Sequence, residues 1–270
     1  MRQLVQNYKT GELRLAEVPL PVLTTGSVLV ANRASVISAG TEKTKIDMGK
    51  KSLVQKALAR PDLVKQVLQK VRTEGLLKTY QTVQTRLTAP SPLGYSCAGV
   101  AVEVGRNVQG IRPGDRVACG GAGYANHAEF VSVPGNLVMP VPEGVSDDEA
   151  AFATVGSIAL QGVRLADPKL GERFLVIGLG LLGQLTVRPL RANGCTVLGS
   201  DLQPDVVARA EASGAIGVPP GADVVQACLD ATGGHGVDGV ELGPTLKAAL
   251  EARDELAARR VFDEAMGELP

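Results

Sequence analysis

Four apolar residues, Phe174 to Ile177, run directly into Gly178-Leu179-Gly180-Leu181-Leu182-Gly183, and this junction constrains the fold more than any other stretch of the chain. A continuous apolar run that stops at a glycine turn reads as a strand buried on both faces, the condition of a parallel strand. Glycines at the first, third and sixth positions of the turn permit, in order, a tight bend, close approach of backbone N–H groups to a pyrophosphate, and tight packing of the next helix on the strand. The helix would then direct its positive N-terminal end at the anion. Eighteen residues after Gly183, Asp201 stands at the end of a second apolar run, Cys195 to Gly199. A carboxylate there accepts hydrogen bonds from an adenosine ribose and repels a 2′-phosphate, which favours NAD over NADP. A glycine-rich turn alone is a weak signal. The strand, helix, second strand and Asp201 in register together predict a dinucleotide site formed by Gly178, Leu179, Gly180, Leu181, Leu182, Gly183 and Asp201.

The pattern around this junction alternates helix and strand. A small-residue helical region spans 147–166 and strand 172–177 follows. Helix 181–193, strand 195–200, helix 204–213, strand 215–218, helix 222–231 and strand 237–240 complete a βαβαβαβ series, the opening of a doubly wound sheet. Residues 1–146 have a different grammar. Short β-branched runs such as Ser27 to Ala31 and Gly99 to Gly105 are bounded by turn signals at Pro113-Gly114-Asp115 and Pro134-Gly135-Asn136. Within them, 43–88 shows helical spacing of apolar residues and holds eleven Lys or Arg against three Asp or Glu. Its charge reads first as the solvated faces of two amphipathic helices, and second as an anion-binding surface. From 241 to 270 no strand-like run recurs. Leu246, Ala249, Leu250, Leu256 and Val261 repeat at helical spacing, a helical tail of unassigned role.

Composition narrows the classes of function. The 270 residues suffice for two domains with real cores, and 44% hydrophobic content fits a globular chain. Formal net charge is zero, with no Trp, four Phe and four Tyr. The charge balance therefore gives no global argument for nucleic-acid or membrane partners, and stacking platforms for single-stranded nucleic acid are not expected. No run approaches the ~20 apolar residues of a membrane span, and MRQLVQNYKTGELRL lacks a signal-peptide core. A cytoplasmic protein acting on a small molecule is the natural expectation. Cys97, Cys119, Cys195 and Cys228 are scattered without a C-x-x-C pair, and only His127 and His235 add imidazoles. Buried reduced thiols are expected, with no zinc site.

Further marks precede the nucleotide turn in order. They are Pro19 and Pro21 ahead of Gly26-Ser-Val-Leu-Val30, Gly40-Thr41-Glu42 after Ser35 to Ala39, Gly99-x-x-x-x-Val-Gly105, Pro113-Gly-Asp-Arg-Val117, Ala128-Glu129-Phe130 and Val133-Pro134. From about residue 10 to 240 the chain thereby resembles the medium-chain dehydrogenase/reductase superfamily, the group of alcohol dehydrogenases and quinone oxidoreductases. The resemblance implies a GroES-like β domain with the substrate site (1–146), beside a Rossmann dinucleotide-binding domain (147–240). It is nearest in character to zinc-less dehydrogenase modules that work with a second oxidoreductase domain.

The departures from that pattern carry the mechanistic expectations. Zinc-dependent members place a Cys before the Gly-Thr/Ser-Asp segment and a Gly-His-Glu further on. Ala39 and Gly94-Tyr95-Ser96 occupy those places here. The resemblance thus implies no catalytic zinc, so a carbonyl would be polarised by hydrogen bonds or a general acid. Tyr95 is the first candidate because it replaces a ligand facing the cleft; Thr41, Ser38 and His127 are the others, each with an ordinary packing role as the alternative. The family's fold continues for two more strands, which 241–270 does not resemble. A fragment, a frameshifted end or a rearranged, partner-dependent protein would each have this appearance. The expected function is zinc-independent, NAD(H)-preferring hydride transfer to or from a carbonyl, alcohol or activated alkene. Its alternative is a non-catalytic nucleotide-binding subunit or remnant, and a homo-oligomer or partner oxidoreductase domain is compatible with either.

Overall fold

A computed structural model describes residues 1–7, 10–38, 40, 42, 46, 69, 71–73, 75, 78 and 89–242. Nearly all of the helical insert expected at 43–88, the tail beyond 242, and Ala39 and Thr41 lie outside these residues. Contacts divide the chain into two units, Met1–Thr154 and Val155–Pro270.

The first unit is antiparallel. β1 (Arg2–Asn7) lies between β2 (Leu13–Glu17) and β4 (Pro90–Pro92) in a three-stranded sheet. A five-stranded sheet has the order β7-β3-β5-β6-β8, with β3 at Ser27–Ser35, β5 at Ser96–Val104, β6 at Arg116–Gly120, β7 at Phe130–Pro134 and β8 at Val138–Pro140. Period-two burial explains the pairing: Val28 sits opposite Val133 and Val30 opposite Val131, and all four are buried. Their other neighbours include Cys97, Val117 and Cys119. A single core side is thus specified, since slipping the register by one residue would expose it. Register shifts interrupt the β3–β5 ladder, and Gly99 lies there because a Cβ would come within 2.1 Å of the Ala31 carbonyl oxygen.

The first unit extends beyond the boundary expected at 146. α1 (Asp147–Ala150) starts with a capping box between Ser146 and Glu149. Asp147 accepts from Arg116 at 2.8 Å and pairs with Arg33 at 3.2 Å. The Ser96 hydroxyl donates to the Ala151 carbonyl at 2.5 Å. These bonds hold the segment to the β sheet, so the division falls after Thr154 rather than before Asp147.

The second unit contains α2 (Ala153–Ala166, whose first turn crosses the boundary), β9 (Arg173–Ile177), α3 (Leu181–Ala192), β10 (Thr196–Ser200), α4 (Pro204–Ala212), β11 (Ile216–Val218), α5 (Val224–Ala231) and β12 (Gly239–Leu242). The strands form one parallel sheet in the order β11-β10-β9-β12. β9 is buried on both faces as its apolar run requires. Phe174 and Val176 join a cluster with Val187, Leu190 and Val207, while Leu175 and Ile177 join Leu198, Val218 and Val224. The fourth strand begins two residues later than expected and takes Glu241 and Leu242 from the expected tail. The cause lies at Asp238, whose carboxylate accepts the Arg173 N–H at 2.8 Å. Its own N–H donates to the Arg173 carbonyl at 2.8 Å, which fixes where the ladder starts. Among the described residues no helix is long and apolar enough to cross a membrane.

Candidate functional site

The glycine turn between β9 and α3 has a separate physical reason for each glycine. Gly178 turns the chain out of β9 at φ +88°, a region that L side chains rarely adopt. A Cβ on Gly183 would lie 2.0 Å from the Gly178 carbonyl oxygen, so the helix reaches the strand only without a side chain there. Gly180 differs from both. Its φ is −64°, and a Cβ built on it meets nothing within 4 Å. The protein itself has no need of glycine at this position; the space it leaves is external, where a ligand would approach. Gly180 also caps α3 without a side-chain hydrogen bond, so no capping side chain competes with an anion for the first-turn amides.

Asp201 is half-buried just beyond β10. One carboxylate oxygen accepts the Leu179 N–H at 2.7 Å and the other the Gln203 N–H at 3.0 Å. The carboxylate therefore ties the glycine turn to the end of β10 before any nucleotide arrives. Each oxygen carries two lone pairs, so acceptor capacity remains for ribose hydroxyls. Gln184 adds a second tie by donating to the Leu179 carbonyl at 3.0 Å and the Val206 carbonyl at 2.7 Å. Leu181 and Leu182 form the start of α3. The residues present fit the adenosine and pyrophosphate portion of a dinucleotide.

The candidate acids lie in the first unit. Tyr95 is half-buried ahead of β5, and its carbonyl accepts the Gly121 N–H at 2.9 Å. Thr41 lies outside the described residues. The backbone of Ser38 exchanges hydrogen bonds with Glu42: the Glu42 N–H donates to the Ser38 carbonyl at 2.8 Å, and the Ser38 N–H donates to the Glu42 carboxylate at 3.1 Å. His127 connects to the same carboxylate. Its Nε2 lies 3.1 and 3.2 Å from the two Glu42 oxygens, and its Nδ1 lies 2.9 Å from the Ser35 hydroxyl. The side chains of His127 and Glu42 are 9% and 7% exposed. Gly94 makes room for His127, since a Cβ there would lie 2.6 Å from the His127 nitrogen. Ser35 and Glu42 are site residues that the sequence reading passed over. The signal for Glu42 was present in the Gly40-Thr41-Glu42 mark; Ser35 had none.

The cysteines are all reduced and buried. Cys97 faces Cys119 across β5 and β6, and a hydrogen bond between the two thiols, with burial, pushes the Cys97 thiol well up. Burial likewise raises Cys228. Both therefore persist as thiols rather than thiolates at neutral pH.

A family model for the alcohol dehydrogenase GroES-like domain matches residues 62–143. The chain is 33% identical over 183 residues to (R,R)-butanediol dehydrogenase of Bacillus subtilis (strain 168), covering 57% of this chain and 52% of that protein. The solved 2R,3R-butanediol dehydrogenase of Bacillus subtilis superposes with a TM-score of 0.69 at 24% identity, over 92% of this chain and 72% of that one. The chain is thus similar to medium-chain dehydrogenases/reductases in sequence and shares their fold. A quinone oxidoreductase from Thermus thermophilus, solved also in complex with NADPH, gives a TM-score of 0.65 at 23% identity over 93% of this chain and 69% of that one. A zinc-type alcohol dehydrogenase-like protein of Escherichia coli (strain K12) is 26% identical, over 54% of this chain and 51% of that protein. The proteins it resembles thus include a zinc-type alcohol dehydrogenase-like protein and, in fold, a quinone oxidoreductase, and the chain spans about half the length of the curated relatives it matches.

Proposed function

We propose that this chain binds NAD(H) in preference to NADP(H) and acts as a zinc-independent oxidoreductase on a small carbonyl, alcohol or activated alkene. The observation that carries the reading is the turn at Gly178–Gly183. It has an open space at Gly180, a start of α3 without a capping side chain, and a carboxylate, Asp201, bonded to the Leu179 amide. The bound nicotinamide would supply the hydride chemistry. The chain's own residues seat the pyrophosphate against α3, accept the ribose hydroxyls at Asp201, and provide protein hydrogen-bond donors in place of a Lewis acid. Tyr95 is the candidate donor in the first unit, with Thr41, Ser38 and His127 as alternatives.

The preference for NAD(H) rests on charge. A 2′-phosphate carries about −1.5 to −2 charges and would be placed beside the Asp201 carboxylate. Zinc independence rests on residue type, since Ala39, Tyr95 and Ser96 occupy the ligand and adjoining positions of zinc-type members. Ser96 is committed elsewhere, bonded to Ala151 inside the fold. A second reading, nucleotide binding without turnover, is favoured by one observation: β12 is an edge of the described parallel sheet, where the family fold continues with further strands. Titration with NADH and NADPH, followed by NADH oxidation over a panel of diketones, quinones and enones, separates these readings. Saturable NADH binding with turnover supports the enzyme, and binding without turnover on the whole panel supports the second reading. Equal affinity for the two cofactors defeats the assigned preference.

A further inference from the structure

The first unit contains a hydroxyl, an imidazole and a carboxylate in one hydrogen-bonded line, of which only the imidazole, His127, is among the alternative donors for hydride transfer. Ser35, the exposed last residue of β3, lies with its hydroxyl 2.9 Å from His127 Nδ1. His127 Nε2 faces Glu42 at 3.1 Å. Glu42 as a carboxylate only accepts, and it also accepts the Ser38 N–H; the Nε2 nitrogen must therefore carry the ring proton. That fixes the tautomer and leaves the lone pair of Nδ1 pointing at Ser35, whose hydroxyl donates to it. Gly94 and the bond from the His127 N–H to the Leu93 carbonyl at 2.8 Å set the position of the ring. Ser35 and His127 line an open depression of about 280 Å³, together with Arg2, Asn32, Arg33 and Glu129. An exposed hydroxyl, a nearly buried base behind it and a buried carboxylate behind that base are the elements of an activated nucleophile.

We propose that Ser35 is an activated nucleophile that accepts acyl groups from small activated esters entering this depression, with His127 as its general base and Glu42 orienting and stabilising the imidazolium. The Ser35 oxygen would form a bond to the ester carbonyl carbon while its proton passes to His127 Nδ1. Collapse of the tetrahedral adduct breaks the bond to the leaving alkoxide or phenolate, which takes up that proton. Glu42 keeps its charge throughout, and no oxidant or reductant is needed. Asn32 is not available to stabilise an oxyanion, because its amide donates to the Asn126 and Ala128 carbonyls. Without an oxyanion donor both acylation and deacylation are slow. The good leaving group of an activated ester nevertheless favours acylation over hydrolysis of the alkyl ester it leaves on Ser35, so an acyl-serine accumulates in place of rapid turnover.

The test uses the full chain and p-nitrophenyl acetate. The expected result is a stoichiometric burst of p-nitrophenolate with the acetyl group mapped to Ser35 by peptide mass spectrometry. Ser35→Ala abolishes the burst, His127→Gln slows it by about 10²-fold, and Glu42→Gln, which retains a hydrogen-bonding oxygen without the charge, has an intermediate effect. Circular dichroism and NADH binding check that each variant is folded. Because the chain has two histidines, ¹⁵N NMR of the unmodified protein reads the tautomer directly and does not depend on any variant. An Nε2–H tautomer for His127 supports the proposal. An Nδ1–H tautomer, acetylation elsewhere, or a rate at Ser35 unchanged by a folded His127→Gln overturns it.

Discussion

Replacing Asp201 separates two roles that one carboxylate holds at once. In the free protein it accepts the Leu179 N–H at 2.7 Å and the Gln203 N–H at 3.0 Å. Leu179 is fully buried, so Asp201→Ala leaves its amide poorly hydrated at a cost of about 1–3 kcal/mol. The Gln203 amide is exposed and water replaces its partner. With Asp201 itself half-exposed, a loss of about 1–2 kcal/mol is expected, or roughly 1 M in urea midpoint for a unit of this size. Asp201→Asn keeps one acceptor oxygen for Leu179 and should lose less. Cofactor discrimination orders the variants differently, because it depends on the charge. At ~6 Å and an effective dielectric of ~20–40, each unit of 2′-phosphate charge is opposed by about 1.4–2.8 kcal/mol, tenfold to a hundredfold in relative affinity. Both variants should lose this discrimination, although only Ala loses the full stability. Unfolding is followed by far-UV circular dichroism, since the tyrosines at 8, 80, 95 and 124 all precede the second unit and there is no Trp. Affinities come from NADH and NADPH fluorescence. Native discrimination in Asp201→Asn, or unchanged stability in Asp201→Ala, would refute the reasoning.

The second and third glycines of the turn should respond oppositely. Gly180→Ala should fold normally, since its Cβ meets no protein atom, and weaken NADH binding; Gly183→Ala should destabilise the second unit by about 1–3 kcal/mol through overpacking against the Gly178 carbonyl. Paired urea melts and NADH titrations check both. Asp147 supplies a pH-dependent tie in the first unit. Burial pushes its carboxyl up, but the Arg116 and Arg33 guanidiniums outweigh that and hold it below the ordinary range. A lowered folded pKa contributes stability that is present above the unfolded value of about 3.9 and lost as pH falls through the folded one. Asp147→Asn should therefore unfold more easily at neutral pH, and the difference in melting temperature should vanish toward about pH 2. Purified protein should contain zinc far below stoichiometry by elemental analysis, and a chelator should leave its melting temperature unchanged. Stoichiometric zinc would reopen the assignment of the first unit's site.

What the sequence revealed about this molecule follows from the range of the interactions involved. Strands β9 and β10, helix α3 and the glycine turn are specified by residues within a short window, and periodicity with glycine placement located them to within a residue or two. The same rules placed β12 too early, because its start is set by Asp238 bonding back to Arg173 across the sheet. The domain boundary was misplaced for a similar reason: Asp147 is held by Arg33 and Arg116, far behind it in the chain. Long-range pairing also hid most of the second candidate site. Glu42 and His127 are 85 residues apart, and Ser35 and His127 are 92 apart. No spacing rule joins them; the fold does so by passing the His127 backbone against Gly94, where a side chain would not fit. That glycine stands in the position that opens the Gly-His-Glu segment of zinc-type members, while the following histidine is Tyr95 here. The imidazole nearest the Glu42 carboxylate thus comes from a different part of the chain, the loop before β7. A carboxylate this deeply buried must have a hydrogen-bonding or charged partner. Replacing His127 with an apolar residue should therefore destabilise the first unit more than an equally buried apolar position of the same size, whether or not Ser35 is reactive.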